Sequence, residues 1–158
     1  MNTPQIKFTQ ETMQSMSAFE NLTGAKVKDC FDDSQGLLTF IIEHNDIRKA
    51  LGKNATNVLR ARKTFNRNLR VIEFNPDVVE FIKNVARPVI LTEVQTTGTD
   101  GIYVMVAPDM RSRGYLIGRN AQALRNNESV VQRYFPVKEL KVVLSPNAPA
   151  EVMEQQPQ

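Results

Sequence analysis

The chain has 158 residues, of which 41% are apolar and 23% are charged, and its formal net charge is +3. This length and composition suit a globular protein with one domain or two small ones. No apolar stretch approaches the roughly 20 residues needed to cross a bilayer, and residues 1–14 contain no signal-peptide pattern. We therefore expect a cytoplasmic protein that has no membrane partner.

The residues that most often build active or metal sites are scarce in this sequence. There is one cysteine, Cys30, and one histidine, His44. A single cysteine cannot form an internal disulfide, and the usual zinc ligand sets need more of these residues. The sequence has no paired nucleophile and base and no Walker-type phosphate loop. We therefore expect neither catalysis nor a cofactor.

In chain order, the first predicted element is a helix that follows Thr9, a common N-cap residue. Phe8 and Met13 flank this cap as a hydrophobic staple, and Phe19 continues the apolar stripe until Gly24 ends the helix. A β-hairpin should follow, with strands at residues 25–31 and 38–42 that are joined by a turn ending on a glycine.

A short helix and a glycine loop come next. Asp46 is an N-cap type, and barely one helical turn fits before Gly52, which should end the helix in a left-handed conformation. Lys53 and Asn54 then form an exposed tip, and Ala55 is predicted to enter the following, longer helix. A strand at residues 69–74 closes this first unit.

The second half repeats the same pattern. Asn75 and the proline after it predict a helix start, and a hairpin at residues 89–96 and 102–106 follows. Ser112 takes the place of the N-cap, and Gly118 that of the loop glycine. The last strand is predicted at residues 138–144. Residues 1–74 and 75–145 are thus two domains with almost no linker, and residues 146–158 are a predicted disordered tail.

Positive charge is concentrated around the two loops. Residues 44–70 carry eight Lys or Arg against Asp46 alone, a net charge of +7, and residues 109–133 carry five against two acids, a net charge of +3. The three remaining segments are net negative. Two basic blocks at equivalent places in a repeat indicate a protein that binds a polyanion, and the first block should bind it more strongly.

Each loop offers a place for a phosphate. The first N–H groups of a helix lack partners within the helix, the positive end of the helix dipole favours an anion, and a basic side chain stands beside both. A basic-Asn tip between two helices, after a hairpin, is typical of the KH module, whose GXXG loop clamps about four nucleotides of a single strand.

The loop sequences resemble a known family. Leu51-Gly52-Lys53-Asn54-Ala55 and Ile117-Gly118-Arg119-Asn120-Ala121 are similar to the KH loops of the transcription factor NusA. Residues 71–84, which join the halves, resemble the same junction in archaeal NusA-like proteins. The resemblance implies an α+β fold of two tandem type II KH domains, each a three-stranded sheet with helices packed on one face.

The resemblance also implies a function. We expect a monomer that binds single-stranded RNA in the control of transcription elongation, termination or antitermination, with RNA polymerase or other transcription factors as candidate partners. The candidate RNA-binding residues are Gly52, Lys53, Asn54, Ala55, Asn57, Arg60, Arg113, Gly118, Arg119, Asn120, Ala121 and Gln122.

One departure from the family pattern leaves two alternatives open. The fourth loop residue is usually glycine, and here it is Ala55 in one loop and Ala121 in the other. If that position is already helical, alanine is well tolerated there, and this is the interpretation that we favour. If instead a phosphate must pass close to its Cα, the added methyl would weaken binding, and the chain could be a protein-interaction adaptor that has lost RNA affinity. A third possibility is an RNA-binding factor in ribosome assembly.

Overall fold

The structure is a computed structural model and describes residues 8–150. Both halves have the predicted order of elements. The first half contains α1 (Gln10–Thr23), β1 (Val27–Asp32), β2 (Leu38–Ile42), α2 (Ile47–Leu51), α3 (Thr56–Phe65) and β3 (Leu69–Glu73). The second half contains α4 (Val78–Val85), β4 (Glu93–Thr96), β5 (Ile102–Ala107), α5 (Met110–Ile117), α6 (Gln122–Gln132) and β6 (Glu139–Leu144). The predicted repeat is confirmed.

The strands form two three-stranded sheets of the same topology, with orders β1-β2-β3 and β4-β5-β6. The first two strands of each sheet are antiparallel, which confirms both predicted hairpins. The third strand of each sheet lies parallel to the central one, because the two intervening helices return the chain to the end of the sheet at which the central strand begins. The fold is therefore α+β, as predicted.

A small aromatic core lies between the first sheet and the helices that cover one of its faces. The ring of Phe19 in α1 stacks on Phe40 in β2 with centroids 4.3 Å apart, and Phe65 in α3 adds a tilted ring at 5.5 Å. Ala50 and Ala61 are fully buried where α2 and α3 meet. Only small side chains fit there, so the two helices that flank the first loop pack closely.

The opposite face of the first sheet is also covered, which corrects the expectation of helices on one face only. Ile41 and Ile72 project away from the aromatic core because side chains alternate along a strand. Both belong to a second core together with Phe81 and Ile82 of α4 and the packed residues of the second half. Strand β2 is therefore buried along its whole length.

A buried charge cluster joins the two halves. Asp29 in β1 is fully buried, and its carboxylate accepts hydrogen bonds from Arg133 Nη2 at 2.7 Å and Nε at 3.1 Å and from the Tyr134 hydroxyl. The Arg133 guanidinium also lies over the Phe31 ring, 4.0 Å from its centroid. Burial and the nearby carboxylate raise the pKa of Tyr134, so its hydroxyl remains a donor.

A second set of polar contacts also joins the two halves. Asn126 accepts hydrogen bonds from the Ser34 backbone N–H at 3.1 Å and from its hydroxyl at 2.8 Å. Arg70 donates to the Asn127 side-chain oxygen and to the Val85 carbonyl, both at 2.8 Å. Contacts of this kind fix the mutual orientation of the halves, as the near absence of a linker predicted.

Several boundaries differ from the predicted ones, and the helix starts differ most. Thr9 caps α1 as expected, accepting from Thr12 N at 3.0 Å. The cap of α4 is Asp77 rather than Asn75. The cap of α5 is Asp109, so Ser112 lies inside that helix and donates its N–H to Asp109 at 2.7 Å.

Asp46 precedes α2 as predicted, but its carboxylate accepts from the Lys26 N–H instead of capping the helix. Strand β4 begins at Glu93 rather than at residue 89, because Val89 still belongs to the turn that ends α4, donating to the Ala86 carbonyl. At the other end of the chain, residues 151–158 of the predicted tail lie outside the described residues.

Two findings about residues 8–150 concern the kinds of site that the chain can carry. No helix in this range has the length and apolar character that a membrane crossing requires. No group of three or more His, Cys, Asp and Glu side chains in the range is placed to hold a metal ion. Cys30 is buried, and burial near Asp29 raises the pKa of its thiol to about 12, so the thiol stays protonated near neutral pH.

Candidate nucleic-acid interface

The first glycine of each loop has a backbone conformation that only glycine adopts readily. Gly52 has φ 72° and ψ 173°, and Gly118 has φ 72° and ψ −177°. The extended ψ differs from the expected left-handed helical value, but φ is positive in both cases. A Cβ on Gly52 would lie 2.8 Å from the Asn57 side chain, and one on Gly118 would lie 2.7 Å from Ala123 Cβ. Both positions therefore require glycine.

The fourth loop residues are not helical, which corrects the interpretation that we favoured. Ala55 has φ 59° and ψ 25°, and Ala121 has φ 61° and ψ 20°, so both are left-handed. The asparagines before them, Asn54 and Asn120, are left-handed as well. Asparagine tolerates this region, whereas alanine is strained there by about 1–2 kcal/mol. The usual glycine at the fourth position thus has a conformational reason.

Each long helix begins directly after its left-handed alanine. Thr56 starts α3 and Gln122 starts α6, and the alanine N-caps offer no side-chain acceptor to the first turn. In the first loop, the Asn57 amide also donates a hydrogen bond to the Lys49 carbonyl at 2.8 Å, which spans the loop. The positive end of each long helix, which has no side-chain cap, therefore lies directly after the exposed tip in the chain.

The structure brings most of the predicted residues to the two loops. Lys53, Asn54, Arg119 and Asn120 are exposed at the tips. The remaining predicted side chains lie nearby: Arg60 is exposed on α3, Gln122 is exposed at the start of α6, and Arg113 is half-buried on α5. Asn57 is half-buried, and its amide nitrogen already holds the loop.

Part of the basic charge counted from the sequence is used inside the protein. Arg67 pairs with Asp32 at 2.8 Å, and Arg133 binds the buried Asp29. Arg70 is largely enclosed between the halves, and this desolvation lowers its pKa. The exposed basic residues of the first block that form no ion pair within residues 8–150 are Arg48, Lys49, Lys53, Arg60, Arg62 and Lys63.

Three adjoining clefts run from the first short helix to the second. One of about 410 Å³ lies between α2 and β3 and is lined by Leu51 and Val71. One of about 520 Å³ lies between the halves, and a third, of about 410 Å³, lies beside α5. Pro88 lines all three clefts. The three clefts therefore adjoin one another around Pro88.

Comparison with solved structures shows what the fold is shared with. No protein-family model matches the chain. The crystal structure of APE1850 superposes with a TM-score of 0.70 at 20% sequence identity, and the match covers 86% of this chain and 100% of that one. At this identity the likeness shows the fold alone. By fold and loops, this chain is a protein of two repeated α+β units, each with a basic glycine loop at a helix start.

Sequence comparison then shows the family. The probable transcription termination protein NusA of Methanococcus vannielii is 34% identical over 141 residues, which are 87% of this chain and 80% of that protein. Proteins of the same name from Methanocaldococcus jannaschii and Thermoplasma acidophilum are 24% and 22% identical over 142 and 145 residues, which are 88% and 90% of this chain and 76% and 99% of theirs. The chain belongs to this archaeal NusA-like family, which confirms the resemblance seen in the loops and junction.

Proposed function

We propose that the protein binds single-stranded RNA through both glycine loops and acts in transcription termination. The name shared by its archaeal relatives supports the process. The ligand is supported by one observation above all. Two loops 66 positions apart have the same unusual backbone, and each exposes a basic-Asn tip at an uncapped helix start. A structural turn has no need to repeat these features.

We infer that each unit is a type II KH domain, with the first at residues 1–74 and the second at residues 75–145. The order helix, two strands, two helices, strand supports this assignment, as does the loop between the paired helices. KH loops clamp about four nucleotides by their backbone. RNA is favoured over DNA because its 2′-hydroxyl adds a donor and an acceptor beside the phosphates.

In this proposal a phosphate of the RNA occupies each loop. The positive end of α3 or α6 faces the phosphate, and Lys53 or Arg119 supplies the full charge. Asn54 and Asn120 can donate side-chain hydrogen bonds to the same group. Glycine at the first position keeps the loop close to the helix that follows, because any Cβ there would clash with that helix.

Neighbouring residues extend each phosphate site along the strand. Arg60 lies one helical turn beyond the start of α3, and Gln122 occupies the first position of α6. Arg113 lies on α5, one turn before Gly118. Bases would lie in the groove between the short helix and the closing strand, where Leu51 and Val71 offer apolar contacts in the first unit. The first loop, with more exposed basic side chains around it, should bind the more strongly.

The test is binding of a labelled single-stranded RNA to variants of each tip. Lys53→Asp with Asn54→Asp, and Arg119→Asp with Asn120→Asp, should each weaken binding strongly, and the combined variant should abolish it. The matched control is Asn21→Asp with Lys26→Asp, the same change of residue types at exposed positions at the end of α1 and just beyond it. It should bind as the parent does. If both loop variants bind like the parent, the loops are not the site.

The adaptor hypothesis is favoured by one observation, the strained alanine at the fourth position of each loop. It predicts that the parent protein binds no RNA in the same assay. It also predicts that RNA polymerase or ribosomal proteins are recovered with the parent from cell extract, and that the loop variants recover them equally well. RNA-dependent recovery that the loop variants lose supports the RNA-binding proposal instead.

A further inference from the structure

Tyr115 departs from the internal repeat. When Gly52 is aligned with Gly118, the residue opposite Tyr115 is Lys49, so a short helix of this kind does not require an aromatic residue there. The side chain of Tyr115 is 59% exposed and belongs to neither hydrophobic core. Burial therefore gives little reason for a tyrosine at this position.

The position of Tyr115 is more informative than its exposure. Tyr115 lines both the cleft of about 520 Å³ between the units and the cleft of about 410 Å³ beside α5, so the residue lies at the boundary between them. Pro88, which lies between α4 and β4, lines the same two clefts. An exposed aromatic ring on the second short helix thus borders the cleft between the units.

Basic side chains surround this ring. Arg62 on α3 and Arg87 after α4 line the cleft between the units, and Arg111 on α5 lines the cleft beside that helix. All three are exposed, and none of them forms an ion pair within residues 8–150. Arg70 also lines the cleft between the units, but its hydrogen bonds hold the halves together and Asp33 lies 4.0 Å from its guanidinium. Because none of the three arginines has an ion-pair partner among the described residues, they suit a polyanion better than a peptide.

We propose that the cleft between the units is a third nucleotide site, in which a base of the strand between the two loops stacks on the Tyr115 ring. Arg62 and Arg87 would hold the phosphates on either side of that nucleotide. Stacking of a base on an aromatic ring tolerates any sequence, because every base has a flat face. The inference rests on the proposed function, since it requires one strand to reach both loops.

The test pairs a protein change with an RNA change. Tyr115→Ala should weaken binding of an RNA that reaches both loops by roughly tenfold, the usual loss for one stacked base. Tyr115→Phe should bind as the parent does, because the ring remains. A series of RNAs with one abasic nucleotide then locates the contact. One central abasic position should weaken the parent as much as Tyr115→Ala does, and the variant should lose nothing more at that position.

Two controls separate this site from the loops and from general damage. Met13→Ala removes a comparably exposed side chain, 52% accessible, from α1 outside the clefts, and should leave affinity unchanged. An RNA of about four nucleotides, long enough for one loop only, should bind the parent and Tyr115→Ala equally.

The proposal is overturned if Tyr115→Ala binds the long RNA like the parent, or if its affinity falls further at the same abasic position as the parent's does. Failure of the proposed function has a different signature. In that case the parent binds no RNA, or reversal of the tip charges at Lys53 and Arg119 leaves the binding intact.

Discussion

At the scale of the residue, the most informative positions are Ala55 and Ala121. Their left-handed backbone is the one feature of each loop that disagrees with the residue type. A glycine would adopt this conformation without the steric penalty of a Cβ, although it also gains freedom in the unfolded chain. The two alanines therefore hold the loop shape at a cost in stability.

Replacement of either alanine by glycine should stabilise the protein. Ala55→Gly and Ala121→Gly should each raise the free energy of unfolding by up to about 1 kcal/mol, the relief of the left-handed strain less the entropy of glycine. Urea unfolding measures the change. The matched control is Ala18→Gly inside α1, where the same replacement should destabilise by about 1 kcal/mol. Destabilisation at the loop positions equal to that of the control would contradict the left-handed assignment.

The loop glycines were predictable from the sequence, and the conformation of the alanines was not. Gly52 and Gly118 follow short helices and recur at one spacing, which is evidence for a special backbone at both. Alanine, in contrast, is the best helix former, so its residue type favours a helical fourth position. The left-handed angles follow from the complete turn, in which Gly52 and Asn54 already reverse the chain before α3 begins.

At the scale of the element, the start of α5 distinguishes the structure from the sequence pattern. Asp109 is the cap, and hydrogen bonds from the Ser112 backbone and side chain lower the pKa of its carboxyl. Sequence alignment of the two loops places the cap at Ser112, opposite Asp46. The second short helix is longer by three residues, so the alignment of the loops does not extend to the helix start.

Removal of the true cap should destabilise the protein, and removal of the aligned one should not. We expect Asp109→Ala to lower the melting temperature measurably and Ser112→Ala to have a much smaller effect. Because the folded pKa of Asp109 is lowered, its contribution is present above the pKa of the unfolded carboxyl and is lost as the pH falls through the folded value. The two variants should therefore converge with the parent in strong acid. Equal loss from both substitutions at neutral pH would refute the assignment.

The elements themselves were largely predictable. Alternation of apolar residues along strands β2 and β5 identified both hairpins, and the helix pattern identified all six helices in their order. The cap predictions for α4 and α5 failed because Asn, Asp and Ser are all common N-cap residues and two of them lie near the start of each of these helices. Only the turn of the chain decides which of them meets a free N–H group.

At the scale of the whole molecule, the two units form one body. The first sheet is covered by its own helices on one face and by the second unit on the other. Asp29 stands at the centre of this junction, with three donors from Arg133 and Tyr134 around a fully buried carboxylate. Nothing in the sequence pairs these residues, which lie 104 and 105 positions apart.

Substitution of Asp29 should be among the most destabilising changes in the chain. Asp29→Ala would leave the half-buried Arg133 and the buried Tyr134 hydroxyl without their shared partner, and we expect a loss of about 3 kcal/mol in the free energy of unfolding, measured in urea. Asp32→Ala removes a carboxylate that is 62% exposed and pairs with Arg67, and its effect should stay within about 1 kcal/mol. Comparable small losses for both substitutions would show that the junction contributes little to stability.

A fixed junction also gives the two loops a constant separation, so a single RNA strand that reaches both gains from intramolecular binding. The most direct measurement of this account is the salt dependence of RNA binding for the parent and for the variants with reversed tip charges at Lys53 and Arg119. The logarithm of the parent's binding constant should fall linearly with the logarithm of salt, by about 0.7 per phosphate held. The slope should become shallower in each loop variant. Binding that ignores salt, or a slope that is the same in all the proteins, would contradict the proposal.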